Sequence, residues 1–101
     1  MDKIRQHQQQ ETDRQILHYV RGMQSVAPVT LDSVHNYLTH AARITIGRSD
    51  AQDRLTYLAK AGYVEKLTEW DGGEVVRFEI TADGMDVLDG AIPPRNWGKG
   101  N

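Results

Sequence analysis

The sequence predicts one small α+β domain in which three helices are followed by a β-hairpin and a short fourth helix. Three observations support this fold class. Apolar residues recur at helical spacing in three segments before residue 62. Two β-prone runs, 63–70 and 75–80, flank residues 71–74, whose sequence Asp-Gly-Gly-Glu favours a tight turn between antiparallel strands. Thr81 then precedes a short apolar-periodic segment that ends at Gly90.

The composition fits a single globular domain that needs no cofactor. The chain has 101 residues, of which 39% are hydrophobic and 26% are charged. It has no cysteine, which excludes disulfides and thiolate metal sites and favours a reducing compartment such as the cytoplasm. No run resembles a signal peptide or a membrane span, so no membrane partner is expected. Because the formal net charge is −2, any affinity for nucleic acid must come from local charge.

Changes in composition divide the chain into three parts. The polar residues 1–11 are predicted to form a solvated arm or to extend the first helix, and residues 12–90 form the domain. Thr12 and Gln15 have the spacing of a capping box, which predicts that the first helix begins there. Residues 91–101, which are rich in proline and glycine, are predicted to form a flexible tail.

The second and third helices have recognisable start signals. Val29 and Thr30 suit a very short strand, and Thr30 also suits the N-cap of a second helix that runs to about residue 40 or 42. Ser49 and Gln52 repeat the capping-box spacing and predict the start of the third helix. Gly62 is expected to end that helix, since glycine adopts the left-handed conformation without strain. The inward side of the third helix is expected to contain Ala51, Leu55, Leu58 and Ala59.

Two stretches of the chain carry a family resemblance. Residues 54–64, RLTYLAKAGYV, have two leucines three apart that lead into a glycine and the first strand, and residues 78–85, FEITADGM, look like an LT-x-x-G junction with isoleucine in place of leucine. In both, the chain resembles winged helix-turn-helix domains of the MarR and PadR types, found in bacterial and phage regulators. The resemblance covers roughly residues 12–90. It implies a three-helix core, a two- to three-stranded hairpin called the wing, and a short C-terminal helix.

The resemblance implies that duplex DNA is the partner, with the third helix in the major groove and the wing on the backbone. Gln52 can then bond adenine, Arg48 can reach guanine or phosphate, and Ser49 can bind a phosphate at the helix start. Such a protein would be a small transcriptional regulator or a phage or mobile-element accessory protein. The expected DNA-binding residues are Arg43, Arg48, Ser49, Gln52, Asp53, Arg54, Thr56, Tyr57, Lys60, Lys66 and Arg77.

Other interpretations of these residues stay open. Helix capping alone explains Ser49 and Gln52 at least as well as DNA binding does. Residues 43–77 contain six basic and six acidic side chains, which predicts weak nonspecific binding to DNA. This balance, with Trp70 at the hairpin tip and Trp97 in the tail, leaves room for a winged helix that binds a protein partner instead. A homodimer with a small interface is also open.

No residue pattern indicates an enzyme. The histidines at positions 7, 18, 35 and 40 have no metal-ligand spacing, and the aspartates at 83, 86 and 89 suit the solvated face of one short helix. The chain has no nucleophile-elbow serine and no glycine-rich phosphate loop. The sequence therefore predicts a binding protein without catalytic, metal or cofactor sites.

Overall fold

The computed structural model describes residues 3–70 and 73–90, with the side chains of all these residues except 3–7 and 74. Within these ranges the chain forms four α-helices, one of which continues as a π-helix, and one two-stranded antiparallel sheet. The predicted α+β class is therefore confirmed. In chain order the elements are α1 (Lys3–Met23), α2 (Leu31–Asn36), the π-helix (Tyr37–Ala41), α3 (Arg48–Lys60), β1 (Val64–Trp70), β2 (Glu74–Ile80) and α4 (Ala82–Leu88).

Helix α1 is longer than predicted because residues 3–11 belong to it. The predicted start at Thr12 is wrong, and the alternative, in which the arm extends the helix, agrees with the structure. The Thr12 hydroxyl donates to the Gln8 carbonyl oxygen at 2.9 Å, a bond that a threonine makes inside a helix. Gln15 Nε2 donates to Glu11 Oε2 at 2.9 Å, so this side chain also bonds within the helix rather than at its start.

The cap predicted for α2 is confirmed. The Ser33 N–H donates to the Thr30 hydroxyl at 3.2 Å, and the Thr30 N–H donates to the Ser33 hydroxyl at 2.9 Å. This reciprocal pair satisfies two backbone donors at the helix start. Val29 does not form a strand in the described sheet, but its carbonyl oxygen accepts from the Phe78 N–H at 2.8 Å. That single bond ties the start of α2 to the edge of β2.

The capping box predicted for α3 is wrong. The helix begins at Arg48, and its N-cap is Gly47, whose backbone is extended at φ −72° and ψ 157°. Ser49 therefore lies inside the first turn and cannot act as the N-cap, which needs a non-helical backbone. The predicted inward residues Ala51, Leu55 and Leu58 are fully buried, and Ala59 is partly buried. Both predicted helix stops, Gly62 and Gly90, have left-handed backbones, with φ of 86° and 77°.

The hairpin packs on the helices through one face at its base. Its antiparallel register runs from the pair Val64 and Ile80 to the pair Trp70 and Glu74. Because side chains alternate along a strand, Val64, Phe78 and Ile80 share the face that closes the core, and all three are buried. They meet Ile16, Leu17 and Val20 from α1, Val34 and Leu38 from α2 and the π-helix, and Leu55, Leu58 and Tyr63 from the α3 region.

Helix α4 closes the core over the base of the hairpin. The Thr81 hydroxyl accepts from the Gly84 N–H at 3.1 Å, which confirms the predicted N-cap. Gly84 is buried, and a Cβ atom there would clash with the Tyr63 carbonyl oxygen and lie 2.7 Å from Ile80 Cγ1. The close approach of α4 to the hairpin therefore requires glycine at this position.

We expect Gly84→Ala to lower the free energy of unfolding by about 1–3 kcal/mol, because the added methyl group must displace backbone. Urea denaturation followed by circular dichroism measures this loss. Gly22→Ala is the matched control, since nothing lies within 4 Å of its added Cβ. It should stabilise α1 by up to about 1 kcal/mol. Equal effects of the two substitutions would contradict this account of α4 packing.

Candidate nucleic-acid interface

The side of α3 that points away from the core is polar and exposed. Gln52, Asp53 and Thr56 lie on it, with Ser49 one turn before them and Lys60 one turn after. All five are exposed, as predicted. None of their side chains forms a hydrogen bond or an ion pair with another residue in the described ranges. We call these five residues the outer face of α3.

Arg54 and Tyr57 do not belong to the outer face, and the prediction that Tyr57 points outward is wrong. Both residues are buried on the side of α3 that packs against α1, with 7% and 4% of their surface exposed. Arg54 Nε donates to Asp13 Oδ1 at 2.9 Å, and its NH2 nitrogen donates to Asp13 Oδ2 at 2.7 Å. The guanidinium carbon lies 4.5 Å from the centroid of the Tyr57 ring. Arg54 is therefore held inside the protein and cannot grip a DNA backbone.

Sequence reasoning missed Asp13, the partner of Arg54. Asp13 is fully buried, and it occupies the same stripe of α1 as Ile16, Leu17 and Val20, at helical spacing. An acidic residue in register with an apolar stripe is a signal for a buried ion pair, because burial of a lone carboxylate is strongly unfavourable. The partner itself lies 41 residues away, and no local pattern identifies it.

The connector before α3 borders a cleft. This cleft has a volume of about 880 Å³ and lies between the first half of the described part of α1, residues 43–46 and one flank of α3. Its charged lining is mixed, with Arg43 and Lys60 facing Glu11, Asp50 and Asp53, while Arg54 is already bound to Asp13. Two cations and three carboxylates outside the Asp13 and Arg54 pair therefore line the cleft, so Arg43 and Lys60 can meet a phosphate only at its rim. Ser49 and Gln52 do not line the cleft, and the part of α3 that carries them is the better surface for nucleic acid.

Arg48 joins the starts of α2 and α3. Its Nε donates to Asp32 Oδ1 at 2.9 Å, and both side chains are largely exposed. An exposed ion pair contributes only about 0–1 kcal/mol, because water screens it and the side chains lose entropy. Arg48 can therefore leave Asp32 for a stronger anionic ligand at little cost.

Arg77 is already neutralised by the hairpin. It forms ion pairs with Glu79 and with Glu69, the latter at 2.6 Å. Hydrogen bonds with Glu79 first, and then with Glu69, raise the pKa of Arg77 above its ordinary value. Glu65 lies on the same face, which therefore holds three carboxylates and one guanidinium. This arrangement opposes the predicted contact of Arg77 with a DNA backbone.

The opposite face of the hairpin carries Lys66, Thr68 and Trp70, and all three are exposed. Lys66 forms no ion pair with a residue that the structure describes. Trp70 is 76% exposed at the end of β1, in agreement with its predicted place near the hairpin tip. Trp97, the other predicted partner contact, lies outside the described residues.

Neither a metal site nor a membrane-spanning helix occurs within residues 3–70 and 73–90. No group of three histidine, aspartate or glutamate residues there is arranged to hold a metal ion. No helix in these ranges combines the length and apolarity that crossing a membrane requires. The arrangement of the outer face suits hydrogen bonding to a ligand rather than coordination of a metal.

We expect the substitutions Asp13→Ala and Arg54→Ala each to lower the free energy of unfolding by about 3–5 kcal/mol, because each leaves one buried charge unpaired. Urea denaturation of the two single variants and the double variant measures the coupling. The double variant should lose clearly less than the sum of the single losses. The exposed pair Arg48 and Asp32 is the control, and its coupling should stay below about 1 kcal/mol. If the double variant lost as much free energy of unfolding as the two single variants together, Asp13 and Arg54 would not be coupled, and the buried ion pair would be contradicted.

Comparison with known proteins leaves the function to be argued from the chain itself. No family model matches the chain, and neither does any curated protein or solved structure. The outer face of α3 is therefore the feature from which a function can be argued.

Proposed function

We propose that this chain is a small winged-helix protein that binds duplex DNA and places α3 in the major groove. The observation that carries the proposal is the outer face of α3. Ser49, Gln52 and Thr56 are exposed there, and their side chains make no hydrogen bond within the described part of the chain. Hydroxyl and amide groups on one side of a helix are the groups that read base edges in the major groove.

Helix capping does not explain why Ser49 and Gln52 occupy their positions, and this supports the proposal of DNA binding. Ser49 and Gln52 have the spacing of a capping box, but the N-cap of α3 is Gly47, so these two side chains do not form one. Elsewhere in the protein the hydroxyls of Thr30 and Thr81 do cap helices. The polar groups of Ser49 and Gln52 therefore remain available to a ligand.

The position of α3 supports the winged-helix arrangement. Its 13 residues extend about 20 Å, and its inner side is anchored by Leu55, Leu58 and Arg54. β1 begins only four residues after α3 ends, so the hairpin lies beside the end of this helix. A helix presented with an adjacent hairpin can enter a groove while the hairpin reaches the neighbouring backbone.

The charges around α3 indicate weak electrostatic binding. Of the six basic residues expected near DNA, Arg54 and Arg77 are neutralised and Arg48 is loosely paired with Asp32. The remaining three, Arg43, Lys60 and Lys66, form no ion pair with a described residue. Affinity for any particular sequence must then come mainly from hydrogen bonds to bases.

The salt dependence of binding to random duplex DNA tests this count of cations. We expect a slope of log association constant against log salt of about −2.7 per protomer, which is three cations at roughly 0.9 each. Release of Arg48 from Asp32 would steepen the slope to about −3.6. Fluorescence anisotropy with a labelled duplex measures the slope. A value of about −6 or steeper would require cations outside this set and would contradict the assigned surface.

Substitution of Gln52 tests the outer face directly. Against a duplex enriched from a random-sequence library by the wild-type protein, we expect Gln52→Ala to weaken binding about tenfold or more, since a good base contact contributes about 1–3 kcal/mol. The thermal midpoint should not change, because Gln52 is exposed and unbonded within the described chain. Asn36→Ala, at an exposed position of α2, is the control and should bind like the wild type. Unchanged binding by Gln52→Ala would exclude α3 as the reading helix.

The hairpin favours a second candidate function, which is docking to a protein. Trp70 and Val75 are exposed near the end of the hairpin, at 76% and 38% of their surface. Exposed aromatic side chains are enriched where proteins bind proteins. If random duplex DNA is not bound at low salt, the first function is excluded, and protein docking through Trp70 is the candidate to test next.

A further inference from the structure

The outer edge of β1 carries backbone groups that no described residue satisfies. In an antiparallel pair, two opposed residues either bond each other or both point their N–H and C=O groups away. The Phe78 N–H points away from β1, because it donates to the Val29 carbonyl oxygen, and its opposed residue is Lys66. By alternation, Lys66, Thr68 and Trp70 turn their backbone groups to the outer edge of β1. None of these three residues forms a hydrogen bond on that side with a residue that the structure describes.

The two outer edges of the hairpin differ in how they are covered. At the base of β2, the Phe78 N–H is bonded to Val29, and the Ile80 N–H donates to Gln24 Oε1 at 2.8 Å. β1 has no proline, pairs with β2 in one continuous register, and exposes the three residues whose backbone groups point outward. A long, regular edge strand of this kind is able to pair with another strand.

We propose that two copies of this chain pair antiparallel along β1 and join their hairpins into one four-stranded sheet. The two-fold axis lies at Thr68, which is opposed to Thr68 of the second copy. Lys66 is opposed to Trp70 of the second copy, and Trp70 to Lys66. Each of these pairs exchanges two backbone hydrogen bonds, because all three residues have outward groups. The inference goes beyond DNA binding and does not depend on it.

Charge selects both this register and a second copy as the partner. Three registers keep outward groups opposed and pair at least five residues of β1, and they are centred on residue 66, 67 or 68. The first opposes the two copies of Lys66, and the second opposes Glu65 to Glu69, although like charges directly opposed are unfavourable. The third opposes threonine to threonine and places Lys66 beside the ring of Trp70, which attracts a cation. β1 is thus complementary to itself, as a two-fold interface requires.

The interface is confined to the edge of one strand. Its buried area therefore falls at the lower end for specific interfaces, and we expect a concentration-dependent equilibrium between monomer and dimer. Two copies related by a two-fold axis also match a DNA site that has two half-sites. Pairing along β1 is therefore compatible with the function proposed for α3.

A cysteine at the two-fold axis tests the register. The chain has no cysteine, so Thr68→Cys gives each copy a single thiol. Opposed residues that exchange hydrogen bonds have Cα atoms about 5.5 Å apart, a distance that a disulfide spans. We expect mild oxidation to convert most of this variant into a disulfide-linked dimer on non-reducing gels. Glu65→Cys is the matched control, because its two copies would lie about 20 Å apart and should crosslink about tenfold more slowly or less.

Sedimentation velocity without DNA tests the association itself. Over a concentration series that reaches the millimolar range, the mean mass of the wild type should rise toward that of a dimer. Thr68→Lys opposes two lysines at the axis and should stay monomeric, with the circular dichroism of the wild type. Val75→Lys adds the same charge on β2, on the opposite face of the hairpin, and should associate like the wild type.

Four results would overturn the inference. These are a wild type that stays monomeric over the series, a Thr68→Lys variant that associates like the wild type, equal crosslinking of the two cysteine variants, and loss of association in Val75→Lys. The last result would assign the contact to exposed apolar residues at the end of the hairpin. Because these measurements contain no DNA, their failure leaves the proposed function intact, and the duplex-binding measurements decide that function separately.

Discussion

The ion pair between Asp13 and Arg54 is the interaction on which the presentation of α3 depends. Two parallel hydrogen bonds between a rigid guanidinium and a carboxylate fix both distance and orientation, and here they join α1 to α3 in the interior. The pair thereby sets the rotation of α3 about its own axis. With Arg54 held against α1, the outer face of α3 is turned toward solvent. A buried pair is weak evidence for stability but can act as a device for specifying one arrangement.

Because arginines are paired with carboxylates of the protein itself, the surface has few cations left to attract DNA phosphates. Arg54 and Arg77 are neutralised by neighbouring carboxylates, and the acidic groups along the cleft offset Arg43 and Lys60. A DNA-binding protein with this charge distribution would have little nonspecific affinity, because that affinity grows with the number of phosphates neutralised. Selectivity would instead depend on hydrogen bonds from Gln52 and its neighbours, which are short in range and sensitive to sequence.

Local sequence signals predicted much of the fold, whereas contacts between residues far apart in the sequence could not be predicted. Thr30, Thr81, Gly62 and Gly90 act as predicted because a cap or a stop depends on its immediate neighbours. The same capping pattern failed at Thr12 and at Ser49, since a Ser/Thr-x-x-Gln spacing also occurs inside helices, where the backbone is already helical. The five residues of the outer face are exposed as predicted, while their contact with DNA stays a prediction. The burial of Arg54 and Tyr57 was not predicted, because the edge of the buried side depends on where α1 lies.

Two positions around α3 hold residues that are not the most favourable ones for their backbone conformation. Thr56 is exposed in the middle of the helix, where a β-branched residue is less favourable than alanine or lysine, and its hydroxyl makes no bond within the described chain. Arg43 occupies a left-handed position that favours glycine by about 1 kcal/mol or more. Natural sequences depart from such local rules mainly at functional sites. Both departures border the surface that is proposed to bind DNA, since Thr56 and Arg43 line the same cleft.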